Sequence, residues 1–203
     1  LAELDQGTAQ AFGVEDHEHA GRKLFALIGS VVLPSRALHL PQRRGQPPML
    51  WPEATGLVDW PVTPQGTPPG VVVWGRRPAL VYPQPGGSRM AKTETDPLPK
   101  LNEQTLLRPV IKPAVDMLRE LGHHDIAHRA IRPSNIFYAG GNSGEVVFGD
   151  CFASVPGAEQ PAVFETIENG IASPMGRDAG SQADDLYALG VLLLSLHMGR
   201  RPL

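Results

Sequence analysis

The sequence has little of what marks secreted, membrane-spanning or nucleic-acid-binding proteins. Its 203 residues include one cysteine, Cys151, so no disulfide can form within the chain, and a reducing, cytoplasmic compartment is expected. No signal peptide is visible, and the longest strongly apolar run, Leu186 to Leu196, is too short to cross a bilayer. The charge is nearly balanced, with 18 basic and 21 acidic residues. Because nucleic-acid-binding domains carry a basic surplus, we expect no nucleic acid as a partner, and no membrane segment is expected within this sequence.

Clusters of metal ligands are also lacking in the sequence. Histidines occur in two close pairs, His17 with His19 and His123 with His124. Neighbouring histidines on a turn point in different directions, and no further ligands follow at the spacing of zinc sites. We therefore expect surface histidines and no metal site.

Proline and glycine, in contrast, are abundant. With 21 prolines and 22 glycines they make up about a fifth of the chain, which is still below the level typical of unfolded, low-complexity sequences. Fourteen of the prolines lie between Pro34 and Pro99, and proline interrupts helices. The N-terminal part is therefore predicted to consist of short strands and loops. The strand candidates are Ala11–Val14, Lys23–Ile28, Gly56–Val62, Val71–Trp74 and Ala79–Tyr82, of which the first two form a predicted hairpin.

The second half of the sequence has a helical pattern. Apolar residues recur at three- and four-residue steps from Leu106 to Leu121 and predict one helix that extends to Gly122. Pro113 is expected to kink this helix or to split it in two. The other predicted elements are a hairpin of Asn135–Tyr138 with Glu145–Phe148, a long loop with short helical turns from Val155 to Gly180, and an apolar helix, Asp184–His197, terminated by Gly199.

Three segments carry a pattern known from one protein family. The string His128–Ile136, read H-R-A-I-R-P-S-N-I, resembles the catalytic loop H-R-D-L-K-P-x-N of protein kinases. Asp185–Val191, read D-L-Y-A-L-G-V, looks like the start of the central helix of a kinase C-lobe. Ala79–Tyr82 followed by Pro85–Gly87 is similar to the strand and hinge that join the two lobes. The sequence therefore resembles the protein-kinase fold, in the form of a degenerate, bacterial-type serine/threonine kinase.

The resemblance implies an α+β, two-lobed fold. A reduced, mostly β N-lobe would occupy residues 1–86, and a helical C-lobe would occupy residues 87–203. The final residues, Gly199 to Leu203, follow directly on the predicted central helix. The further helices of a kinase C-lobe are therefore expected to be missing, and the sequence is expected to be a piece of a larger protein.

Within the catalytic loop the resemblance can be carried over position by position. Ala130 stands where kinases have the Asp that accepts the proton of the substrate hydroxyl. Arg132 replaces the usual Lys, and Asn135 is retained where a metal ion would be held. His128 and Arg129 are retained too, and the resemblance implies an architectural role for both.

Two residues of the predicted central helix complete this scaffold. The resemblance implies that Asp185 holds the catalytic loop through hydrogen bonds to the loop backbone, and Gly190 is expected to be structural. Retention of these positions beside Ala130 indicates a scaffold that persists after the chemistry is lost.

The metal and phosphate sites are degraded as well. Asp150-Cys151-Phe152 is the best match to the metal-binding D-F-G motif, but its Phe cannot readily adopt the positive φ angles open to glycine. Asp150 is therefore either a remnant metal ligand or a surface or capping residue. The phosphate-binding Lys of the strand would fall at Leu27 or Ile28, which are both apolar, and the glycine-rich loop keeps only Gly7.

The segment that follows the metal motif has lost a further signature. Ser173-Pro174-Met175 corresponds to the A-P-E motif, with Met in place of Glu. The buried Glu–Arg ion pair that ties this segment down in active kinases is therefore expected to be lost.

Together these departures predict a catalytically inactive pseudokinase that serves as a protein-interaction or regulatory module. Its partner would be another protein or the flanking domains of a longer chain, and no cofactor is expected. One alternative is a nucleotide-binding switch, in which Asn135 and Asp150 hold ATP with Mg²⁺ but no phosphoryl group is transferred. Another is an enzyme of altered chemistry, such as nucleotidyl transfer, for which the sequence offers no replacement cation.

Overall fold

The computed structural model describes residues 2–3, 22–27, 40, 48–51, 54–58, 70–76, 89–93, 95–138, 145–151, 156–173, 177 and 179–202. The predicted strands Ala11–Val14 and Ala79–Tyr82 and the predicted hinge at 85–87 lie outside these residues. The described residues combine a four-stranded sheet, a two-stranded hairpin and helices. The fold class is therefore α+β.

The N-terminal sheet is antiparallel, and four of its strands lie in the described residues. They are β1 (Ala2–Glu3), β2 (Arg22–Leu27), β3 (Ala54–Val58) and β4 (Gly70–Arg76), in the order β1-β2-β4-β3. β4 thus pairs on both sides, which suits its run of three valines, Val71 to Val73, because branched side chains favour extended backbone. β2 lies one residue before its predicted range, whereas β3 begins two residues and ends four residues earlier than predicted.

The first long helical stretch is continuous but changes its winding. It comprises α1 (Glu103–Leu106), a π-helical turn (Leu107–Ile111) and α2 (Lys112–Gly122). Proline lacks an N–H, and its ring clashes with the carbonyl one turn earlier. The wider π-helical turn, in which the Lys112 N–H donates to the Leu107 carbonyl, accommodates the two prolines of this stretch. The predicted break at Pro113 is therefore a change of winding just before it, since Pro113 itself lies in the first turn of α2.

The segment after the hairpin contains the short helical turns that were predicted, a 3₁₀ turn (Ala162–Phe164) and α3 (Ile167–Ile171). It leads to α4 (Gln182–Met198). Ser181 and Asp184 form a capping box at the start of α4, where the Ser181 backbone N–H donates to Asp184 Oδ2 at 2.8 Å. Gly199 ends the helix with φ of +70°, a conformation that glycine tolerates. Both signals are local, and the observed ends of α4 lie within two residues of the predicted Asp184–His197.

The predicted hairpin is formed by β5 (Ile136–Tyr138) and β6 (Val146–Phe148). Residues 48–50 extend along β6: the Leu50 N–H donates to the Phe148 carbonyl at 2.9 Å, and the Phe148 N–H donates to the Pro48 carbonyl at 2.8 Å. The Met90 N–H donates to the Ile136 carbonyl at 2.7 Å on the β5 side. Both edges of the hairpin are therefore covered by backbone from distant parts of the chain.

The main hydrophobic core lies between α2, α4 and this hairpin. Burial of a large apolar side chain contributes roughly 1.5–3 kcal/mol, and this core holds several that are completely or almost completely buried. They are Met49, Val110, Met117, Leu121, Ile136, Phe148, Leu192 and Leu196. α4 also keeps apolar residues on its outer side, where Leu186 and Leu194 are half exposed or more. No helix in the described part of the chain is long and apolar enough to cross a membrane.

Candidate functional site

The loop from 126 to 135 joins α2 to β5, and Asp185 of α4 binds its backbone. Asp185 Oδ2 accepts a hydrogen bond from the His128 backbone N–H at 2.6 Å, and Asp185 Oδ1 accepts one from the Arg129 N–H at 2.8 Å. Asp185 is 1% exposed, so these charge-assisted bonds are shielded from water. Arg129 has φ of +57°, an unfavourable conformation for a residue with a side chain. The two hydrogen bonds that Asp185 accepts help to hold the loop in this shape, which is the role that the resemblance implied for Asp185.

The buried His128 side chain forms hydrogen bonds within the same loop and to Gly149. The Ala130 N–H donates to His128 Nδ1 at 3.2 Å, and His128 Nε2 lies 3.0 Å from the Gly149 carbonyl. Because Nδ1 acts as the acceptor, the hydrogen-bond pattern assigns the proton to Nε2, which donates to Gly149. The imidazole is 1% exposed and packs edge-on against the Phe148 ring, with 6.4 Å between the ring centroids. His128 is thus a buried, neutral structural element in this loop.

Asn135 ties the loop to the residues after β6. Its side-chain Nδ2 donates to the Ala130 carbonyl at 3.1 Å and to the Asp150 carbonyl at 3.0 Å. Its Oδ1 lies against Gly149, where an added Cβ would be only 1.8 Å away. Asn135 can therefore link the loop to Asp150 in this way only because residue 149 has no side chain. The structure brings Ala130, Asn135 and Asp150 together, but it joins them through backbone carbonyls.

Ala130 presents only a methyl group at the position of the missing carboxylate, and it is 7% exposed. The phosphate-binding positions of the N-terminal part are described only in part. Leu27 ends β2, opposite Val71 of β4, whereas Ile28, Gly7 and Phe152 lie outside the described residues. Gly190 lies on α4 with no atom within 4 Å of the place that a Cβ would occupy.

Arg132 is held by the segment that folds over the loop. Its Nη2 donates to Glu159 Oε2 at 2.5 Å, and its Nε donates to Ser134 Oγ at 3.0 Å. Next to this pair, Gln160 Nε2 donates to the Ile131 carbonyl at 2.9 Å. Residues 159 and 160 therefore bind the outer half of the loop.

A buried ion cluster binds the inner half of the loop to the same segment. Arg129 Nη1 donates to Glu165 Oε2 at 2.8 Å, and Arg177 Nη1 lies 3.6 Å from Glu165 Oε1. Arg177 Nη1 also donates to the carbonyls of Gly157, at 2.5 Å, and Gln160, at 2.6 Å. The side chains of the three charged residues are between 0% and 4% exposed. The segment from 156 to 177 is thus attached to the loop by one carboxylate shared between two guanidinium groups.

This cluster ties the segment down without the glutamate of the A-P-E motif, because Glu165 forms a buried ion pair with Arg129 and lies close to Arg177. The expected loss of the pair that the A-P-E glutamate makes, with Met175 in its place, stays a prediction. Pro174 and Met175 themselves lie outside the described residues. Sequence reasoning missed both Glu165 and Arg177, because neither stands in a recognisable motif.

Asp184 completes the polar surroundings of Arg129. Its Oδ1 lies 4.0 Å from Arg129 Nη1 and accepts hydrogen bonds from Thr166 Oγ1 and Asn169 Nδ2. Partial burial disfavours the ionised carboxylate, but hydrogen bonds from the backbone and hydroxyl of Ser181 outweigh this and keep the pKa of Asp184 below its usual value. Asp184 therefore links the start of α4 to α3 and to the loop.

Comparisons with known proteins find similar folds but no similar sequences. No family model and no curated protein matches this sequence. The chain is similar to the crystal structure of Rad53 1-466 in complex with AMP-PNP, with a TM-score of 0.57 and 15% identity over 89% of this chain and 41% of that chain. It is also similar to the Drosophila melanogaster PAN3 pseudokinase, with a TM-score of 0.51 and 18% identity over 87% of this chain and 42% of that chain. The chain thus spans about two fifths of the length of these solved chains, and the likeness shows a protein-kinase-like fold.

Proposed function

We propose that this chain is a catalytically inactive, pseudokinase-like module that acts by binding or regulating another protein. The observation that carries the proposal is Ala130. A loop fixed by two buried hydrogen bonds to Asp185 presents a methyl group where a proton acceptor would stand. Loss of a general base typically lowers the rate of a reaction by about 10²- to 10⁴-fold.

The proposal assigns no nucleotide with Mg²⁺ to the residues around Ala130. The Asn135 amide nitrogen is engaged by two backbone carbonyls, and its oxygen packs against Gly149. Within the described ranges, no three His, Cys, Asp or Glu side chains form a group that could hold a metal ion. Asn135 serves as a brace between the loop and Asp150. No step of the proposed function therefore runs through ATP.

The retained scaffold supports a role in protein interaction. The loop that carries Ala130 is joined by buried charges, Arg129 and Arg177 with Glu165, to the segment that follows β6, so the two segments are held in a fixed arrangement. One of the solved structures that the chain resembles is itself named a pseudokinase. We extend the proposal to a degenerate, bacterial-type serine/threonine kinase with two lobes, a reduced β-rich N-lobe, a protein partner and a cytoplasmic location.

A transfer assay with labelled ATP tests the proposal. The 203-residue chain is incubated with Mg²⁺, generic protein substrates and ATP that carries radiolabel on the γ-phosphate. We expect incorporation no greater than in a protein-free blank. Robust labelling of a substrate that is abolished by Asn135→Ala would show an active kinase and overturn the proposal.

Two further measurements separate the alternatives. ATP labelled on the α-phosphate reports nucleotidyl transfer, and we expect no incorporation of this label either. A thermal-shift titration with ATP and Mg²⁺ reports the nucleotide-binding switch, since a ligand that binds only the folded state raises the melting temperature. We expect no shift at about 1 mM nucleotide, and a saturable shift would favour the switch.

A further inference from the structure

Arg132 is a buried cation whose hydrogen-bonding capacity is only partly used. It is 9% exposed, and its guanidinium donates from Nη2 to Glu159 and from Nε to Ser134. Nη1 is buried and has no hydrogen-bond partner. A buried donor without a partner costs stability. Arg132 therefore lies in an arrangement that leaves part of its fork-shaped guanidinium for another acceptor.

Glu159 is a replaceable partner for this cation. Its side chain is 61% exposed, whereas the Arg132 side chain is 11% exposed. The Glu159 carboxylate can therefore turn into solvent without disturbing the core. Glu165, in contrast, is completely buried between Arg129 and Arg177 and cannot move in this way.

The loop around Arg132 contains no negative charge of its own. From Ile126 to Asn135 the charged residues are Arg129 and Arg132, and no Asp or Glu occurs. Arg129 is neutralised by Glu165 within the protein core. Departure of Glu159 would therefore leave Arg132 as an uncompensated cation at the edge of the loop.

We infer that Arg132 binds the phosphate of a phosphorylated side chain on a protein partner, and that Glu159 is the built-in competitor which this phosphate displaces. The inference rests on the proposed function, because it assigns a ligand to the loop that carries Ala130 and Arg132. A carboxylate ligand would gain little, since it carries the same charge as Glu159, and Glu159 has the high effective concentration of a tethered group. A phosphomonoester carries a charge of about −1.5 to −2 and three acceptor oxygens, so it can replace Glu159 at Nη2 with a stronger charge. It reaches Nη1, which is buried in the Glu159-bound arrangement, once the Arg132 guanidinium turns outward.

Binding of a short phosphopeptide tests the inference. The probe is a five-residue peptide with a central phosphoserine and alanine and glycine flanks, and it is added to the 203-residue chain while the arginine Nε–Hε signals are followed by NMR. Glu159→Gln removes the competitor at nearly constant shape, and we expect it to tighten binding about fivefold. Arg132→Gln is expected to weaken binding at least about tenfold. The matched control Arg108→Gln, at an exposed arginine of the π-helical turn, should leave the affinity unchanged.

Peptide and nucleotide controls identify the source of the phosphate. The same peptide with serine or glutamate at the centre should bind at least about tenfold more weakly than the phosphopeptide. Equal affinity of Glu159→Gln and the unchanged chain would overturn the inference, as would AMP or inorganic phosphate binding as tightly as the phosphopeptide. If Arg132→Gln does not fold, as judged by circular dichroism, the comparison of Glu159→Gln with the unchanged chain decides. Phosphotransfer in the labelled-ATP assay would overturn the proposed function separately from this titration.

Discussion

Replacing Glu165 with glutamine should destabilise the protein by about 3 kcal/mol. The side chain keeps its shape, so no cavity forms, but Arg129 and Arg177 lose the carboxylate that they share at 2.8 and 3.6 Å. Removing one member of a buried ion pair costs about 3–5 kcal/mol because a charge is left uncompensated in the interior. We expect the lower end of this range, since Asp184 remains 4.0 Å from Arg129 Nη1.

Urea unfolding followed by circular dichroism measures this change in the free energy of unfolding. The melting temperature should fall by about 6–12 °C, the shift that 3 kcal/mol produces in a protein of this size. Glu168→Gln is the matched control, because Glu168 lies nearby on α3 and is exposed. Its effect should stay within about 0.5 kcal/mol.

A double-mutant cycle with Arg177→Met identifies the cause. Removing Arg177 also removes one of the two stranded charges, so the double variant should be less destabilised than the sum of the single variants, by at least about 1 kcal/mol. Limited proteolysis should show cleavage between residues 156 and 177 in Glu165→Gln before the rest of the chain is cut. Additive effects, or a Glu165→Gln loss equal to that of Glu168→Gln, would refute the view that this carboxylate holds the segment.

Three further predictions concern single positions. Gly149→Ala should destabilise the protein by at least about 2 kcal/mol in urea unfolding, since the new Cβ would fall 1.8 Å from Asn135 Oδ1; an effect below that of Glu168→Gln would contradict the Asn135 brace. Gly190→Ala should instead stabilise by about 0.5–1 kcal/mol, because alanine is the better helix former and open space receives its methyl group; a lower melting temperature would argue against this. The lowered pKa of Asp184 means that its contribution to stability is complete above pH 3.8 and is lost as the pH falls through the lower, folded-state value. Asp184→Asn should therefore flatten the decrease of melting temperature below pH 3.8, and an unchanged decrease would contradict the assignment.

Local signals made several elements predictable from the sequence. The ends of α4 follow from the Ser181 capping box and from Gly199, each a feature of adjacent residues. The hydrogen bonds that the loop backbone donates to the Asp185 carboxylate were expected because the loop and the central helix each carry a recognisable motif. The hairpin of β5 and β6 was marked by two apolar runs on either side of a glycine-rich turn.

Features that depend on distant residues could not be predicted in this way. Glu165 and Arg129 are 36 positions apart, and nothing in the surrounding sequence distinguishes Glu165 from a surface carboxylate. The pairing of Arg132 with Glu159 likewise appears only when the segment is folded over the loop. The π-helical turn escaped prediction for a different reason: the apolar spacing around Pro109 is compatible with more than one winding.

The alignment of residues 48–50 with β6 has a consequence for the order of folding. Met49 and Phe148 are about 100 residues apart in the chain, so their pairing has to close a very long loop. Contacts of such long range form late and slow the folding of a domain. During synthesis, Met49 and Trp51 are made well before β6 exists, and both are buried in the folded structure. A nascent chain that stops short of Phe148 therefore exposes the apolar segment around Met49, and we expect a chaperone to protect the chain at this stage of synthesis.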